Sequence, residues 1–107
     1  MQFFINDNML DNVKAYILLD EKLDVAISFL IQDEVIYNVY ATYKQKDEIC
    51  NSGYKRIEEY EIFFDKKILN NFKKAIEEII KNLDISSSRV VKSYIILKKI
   101  EEKIKDR

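Results

Sequence analysis

Histidine is absent from this chain of 107 residues. No Ser-His-Asp or Cys-His constellation, no imidazole metal ligand and no neutral-pH proton shuttle can be assembled from it. Gly53 is the single glycine, which excludes the P-loop and the dinucleotide-binding fingerprint, since both need several. Cys50 is the single cysteine, so there is no internal disulfide and no thiolate zinc site within one chain. A lone thiol fits a reducing compartment, and the protein is expected to be cytoplasmic. Proline and tryptophan are also missing. Apolar runs such as Tyr16–Leu19 and Tyr94–Leu97 fall far short of the ~20 residues that span a bilayer. Asn6, Asp7 and Asn8 interrupt the apolar start, so neither a signal peptide nor a membrane association is expected. Carboxylates, lysine, tyrosine, serine and one thiol remain for chemistry. The chain reads as non-enzymatic, with no cofactor and no metal.

What is present is a charge split that coincides with a change of hydrophobic period. Residues 1–65 carry 6 Lys/Arg against 13 Asp/Glu, a net of −7, whereas residues 66–107 carry 12 against 6, a net of +6. Before Asp65 the apolar residues alternate, and after it they recur every three or four positions. The whole is expected to be one domain, with an acidic, mainly β part at 1–65 and a basic, mainly α part at 66–107. A chain of this length buries roughly 65% of the surface its unfolded form exposes.

Gln2–Ile5 is a short apolar start that would add an edge strand or cap the core. From Met9 to Leu19 the pattern is ambiguous: Met9, Leu10, Val13, Tyr16 and Ile17 sit at helical spacing, while Ala15, Ile17 and Leu19 alternate. A brief helical turn entering a strand near Val13 is expected. Leu23, Val25, Ile27, Phe29 and Ile31 then alternate with their neighbours, as do Val35, Tyr37, Val39, Ala41 and Tyr43, with turns at Glu21-Lys22 and Asp33-Glu34. The polar stretch Gln45–Tyr54 reads as a loop, and Arg56–Phe64, rich in aromatic and β-branched residues, as another strand. Asp65 stands where a helix N-cap is wanted. Ile68, Phe72, Ile76, Ile79, Ile80 and Leu83 form one stripe, predicting an amphipathic helix over 66–83. Ser86-Ser87-Ser88 offers capping hydroxyls to a second helix at 87–105, although Ser93–Leu97 alone also suits a strand. The expected fold is therefore α+β: a three- to four-stranded antiparallel meander over residues 13–64, followed by two C-terminal α-helices in a single layer on the sheet.

The carboxylate pairs Asp20/Glu21, Asp33/Glu34 and Asp47/Glu48 all fall at turns or loops, where acidic residues are ordinary, and nothing in the pattern converges them on a cation. Asp65-Lys66-Lys67 after a hydrophobic segment resembles the core of the restriction-type nuclease motif. The resemblance implies a Mg²⁺-binding carboxylate and an activating Lys67. It covers about ten residues and needs a second acid, for which Asp24 or Glu34 would have to serve. A helix N-cap followed by first-turn lysines accounts for the same residues. Cys50 has no histidine to activate it, and its acidic neighbours Asp47 and Glu48 disfavour the thiolate.

The face of the sheet turned away from the helices holds the more informative residues. With the odd-numbered stripes facing the helices, Tyr16, Ser28, Asn38, Tyr40, Thr42, Glu59 and Glu61 are left outside, and tyrosine among small polar residues makes an adaptable contact surface. Tyr16, Asn38, Tyr40, Glu58, Glu59 and Glu61 are the expected partner-binding residues. The Lys-, Ile-, Asn- and Tyr-rich composition is similar to that of phage or mobile-element inhibitors (anti-CRISPR-like proteins) and small immunity proteins. That similarity implies a protein that occupies a surface of another protein, such as a basic nucleic-acid-handling effector. The predicted order of sheet then helix also resembles PUR-like and PC4-like single-strand binders. This alternative implies stacking on Tyr16 and Tyr40 and phosphate contacts from Lys66, Lys67, Lys73, Lys74 and the other bases of the helices. Dimerisation through the second helix is a further expectation, burying Val91, Tyr94, Ile95 and Ile96.

Overall fold

The computed structural model describes residues 1–8, 12–42, 44–83 and 87–105. The helical turn expected at Met9 and Leu10, the end of a strand at Tyr43 and the capping hydroxyl of Ser86 lie outside them. Among the described residues, five antiparallel strands form one sheet in the order β4-β3-β2-β1-β5. They are β1 (Gln2–Asn6), β2 (Lys14–Asp20), β3 (Val25–Gln32), β4 (Val35–Thr42) and β5 (Lys55–Ile57). The described residues also form four helices: α1 (Lys46–Asn51), α2 (Glu59–Phe64), α3 (Lys66–Asn82) and α4 (Ser88–Lys105). The α+β class is as expected, and the strand count is one or two higher. The apolar start became β1, which is not at the edge but sits between β2 and β5.

Two segments fold differently from the sequence expectation. Arg56–Phe64 does not continue as a strand. Instead β5 ends at Ile57, and Glu58 becomes the N-cap of α2, in a capping box where its side chain and that of Glu61 satisfy each other's backbone N–H groups. Helical geometry lets Ile62 and Phe63 both reach the core, leaving Tyr60 and Phe64 outside. The stretch expected to be a loop contains α1, whose single buried side chain, Ile49, closes the opposite face of the sheet. Gly53 follows with φ +91°, a left-handed conformation that an L side chain resists.

The sheet thus has two unequal covers. On the first face, Phe3, Tyr16, Leu18, Ile27 and Phe29 meet Ile62, Phe63, Phe72, Ile76, Ile96, Leu97 and Ile100 from α2, α3 and α4. Phe72 sits at the centre, with its ring centroid 5.7 Å from Tyr16, 6.0 Å from Phe29 and 6.3 Å from Phe3. On the second face, α1 lays Ile49 over Phe4, Ile17, Leu19 and Ala26. Burial on both faces explains why residues 15–20 of β2 are all buried and why helical spacing and alternation competed there.

Both long helices start as expected. Asp65 Oδ1 accepts from the N–H groups of Lys67 at 3.0 Å and Ile68 at 3.1 Å, and Ser87 Oγ accepts from the N–H of Val90 at 3.3 Å. The α3 stripe is buried through Leu69, Phe72, Ala75, Ile76 and Ile79, with Ile68, Ile80 and Leu83 at its margins. Ser93–Leu97 lies within α4.

Candidate protein-contact face

In an antiparallel pair, directly opposed residues share a face. The register Ile17↔Ser28↔Tyr40, Leu30↔Tyr37 and Gln32↔Val35 therefore places all these side chains on the second face. Short helix α1 covers the part of this face over β1, β2 and the start of β3. Beyond it, Leu30 and Tyr37 are half-buried, while Tyr40 and Val35 are 51% and 62% exposed. β3 and β4 contain no charged residue in a chain that is 35% charged, so this half-face is an uncharged patch on an otherwise highly charged surface.

A bulge shapes the patch. Asn38 and Val39 together oppose Phe29, and Asn38 adopts φ 54°, the left-handed conformation that asparagine tolerates better than most residues. The extra residue brings Tyr37 and Tyr40, three apart in sequence, onto the same face. Beside Tyr40 is a cavity of about 110 Å³ lined by Ser28, Phe29, Leu30, Asn38, Tyr40 and Tyr54. Ser28 is 4% exposed, and its Oγ has no hydrogen-bond partner among the described residues. Tyr54 forms the wall toward α1, its N–H directed at the Ile49 carbonyl at 3.4 Å. Burial first, and then the neighbouring Tyr40, push the Tyr54 hydroxyl above its ordinary pKa.

The expected partner-binding residues divide into three groups. Asn38 and Tyr40 are at this face. Tyr16 is not exposed: it pairs with Phe29, stacks on that ring at 5.4 Å and is buried under α3. The helix-facing residues of β2 are the even-numbered ones, opposite in parity to those of β3, which is why the stripe could not be carried across the turn. Burial, then Asp7 and Asp65, raise the Tyr16 pKa to about 12. Glu58, Glu59 and Glu61 belong to α2 rather than to a sheet face. Glu58 directly follows β5, four strand spacings from β4, or roughly 19 Å across the sheet. Glu59 is also engaged by Lys103 at 3.1 Å. The three glutamates and the tyrosine patch are therefore not one site. Leu30, Val35, Tyr37 and Tyr54 were missed; for the first three the signal was available in the uncharged run of β3 and β4.

Asp65 and Lys67 of the nuclease-like triplet, but not Lys66, line another cleft, of about 600 Å³, together with Asn12, Lys14, Tyr16, Asp33 and Glu34. Asp65 is occupied as the N-cap of α3, and Glu34 is held by Lys74 at 2.9 Å, which lowers its pKa. Among the described residues no group of three or more Asp, Glu or Cys side chains is placed to hold a metal ion. No described helix is long and apolar enough to cross a membrane. The chain matches no known family model, no curated protein and no solved structure.

Proposed function

We propose that this chain is a non-enzymatic binding protein that works by occupying a surface of another protein, through the open half of the second sheet face. The observation that carries this reading is the uncharged patch of Leu30, Val35, Tyr37, Tyr40 and Tyr54 on the face that holds the Ser28 hydroxyl, which has no hydrogen-bond partner among the described residues. Aromatic side chains with one polar end are the residues interfaces favour, and a buried hydroxyl without a partner rewards a group that supplies one. An inhibitor or immunity protein of a phage or mobile element is the member of this class that the composition favours. Single-strand nucleic-acid binding is disfavoured by the layout. Tyr16 is buried, and the lysines of α3 and α4 belong to the layer on the opposite side of the sheet from Tyr40. Stacking platform and phosphate contacts would have to lie on one side.

The test is capture from native-host lysate with wild-type and Tyr40→Ala bait, with and without nuclease. One protein retained after nuclease by the wild type and lost with Tyr40→Ala supports the reading. Recovery that disappears with nuclease, or is indifferent to Tyr40, removes it.

A further inference from the structure

Strand β4 is an edge of the sheet, 8 residues long, with no charge and no proline, although edges are usually guarded by lysine, proline or brevity. The opposite edge strand, β5, has only 3 residues. We propose that β4 pairs antiparallel with β4 of a second copy about a two-fold axis at Asn38–Val39. The two open faces then join into one surface, deepening the reading above and relying on it only for what that surface does.

The bulge makes this register possible. Val35 and Tyr37 before it, and Tyr40 and Thr42 after it, all lie on the second face, while Ile36 and Ala41 lie on the first. The face pattern is therefore symmetric about Asn38–Val39. Tyr37 comes opposite Tyr40 of the second copy, Val35 opposite Thr42 and Ile36 opposite Ala41, each pair on a shared face. In a regular strand the same centring would set every residue against one from the wrong face. The flanking charges agree with the register: Asp33 and Glu34 precede β4, and Lys44 and Lys46 follow it. Antiparallel pairing brings the acidic end of each copy beside the basic end of the other, with Asp33 aligned to Lys44. Glu34 is shared with Lys74, so the Asp33–Lys44 contact is the one that mutation isolates. The net charge of −1 opposes self-association very little.

Sedimentation equilibrium on the full chain tests the pairing. The wild type is expected at twice its 12.8 kDa chain mass. Val39→Lys should run at the single mass with an unchanged circular dichroism spectrum. Asp33→Lys and Lys44→Asp should each weaken the dimer about tenfold, because each swap acts twice about the axis, and the double swap should restore it. The swaps decide the matter if Val39→Lys fails to fold. A wild type of single mass throughout a micromolar-to-millimolar series overturns the proposal. So does a dimer that survives Val39→Lys but dissolves with Val91→Lys/Ile95→Lys, or swaps that do not compensate. A single-mass wild type that still captures a partner through Tyr40 removes the dimer and leaves the contact face. A dimer that captures nothing does the reverse.

Discussion

Tyr16 shows how one side chain ties burial to pH. Its ring is stacked on Phe29 and set edge-on to Phe72, and desolvation holds its hydroxyl protonated up to about 12, against an ordinary value of 10.0. The unfolded chain ionises first as pH rises, so it binds fewer protons than the native state between those values. Stability is complete below pH 10 and is lost toward pH 12, by an amount on the order of 2–3 kcal/mol for two units. Urea unfolding at about pH 9 and about pH 11.5 should show that decline in the wild type and a markedly smaller one in Tyr16→Phe. Ser28 makes the opposite case. Its buried hydroxyl has no hydrogen-bond partner among the described residues, so Ser28→Ala should leave stability unchanged or raise it by up to about 1 kcal/mol in the same assay, while weakening partner capture. Stability gained with binding lost is the pattern expected of a residue kept for contact.

At the scale of elements, termini were more legible than interiors. Asp65 was recognisable as an N-cap because a short acceptor stands immediately before an apolar stripe, and the structure has it accepting two N–H bonds. Asp65→Ala should cost about 1 kcal/mol in chemical denaturation and Asp65→Asn much less, because the amide oxygen still accepts. The same logic was available for α2: Glu58 and Glu61 stand in the spacing of a capping box. It was outweighed by the β-propensity of Ile57, Tyr60, Ile62, Phe63 and Phe64, which is a measure of fitting a half-buried surface rather than of backbone preference. α1 was illegible for a different reason. Six residues with one inward side chain have no period to read, and so short a helix is unstable until Ile49 docks on Phe4 and Ile17.

Across the whole molecule, the charge split matches the layers less simply than the sequence suggested. Acidic Glu34 and Glu59 of the first part reach Lys74 and Lys103 of the second at 2.9 and 3.1 Å, stitching the halves together. Both pairs are well exposed, and such pairs contribute roughly 0–1 kcal/mol. Glu59→Gln should therefore change the denaturation midpoint little and leave Tyr40-dependent capture intact; a large loss of capture would return the acidic residues to the centre of the function. The amino-acid sequence by itself determined the α+β class, the β3–β4 hairpin, both long helices and the start of α3. Each of these rests on local periodicity or on a capping residue beside the group it satisfies. Tertiary structure decided the parity of β2, the folding of α1 and α2, the bulge, and hence which tyrosines face solvent. Which side of a strand is covered depends on what packs there, and α1 supplies that cover with one isoleucine 45 residues beyond Phe4.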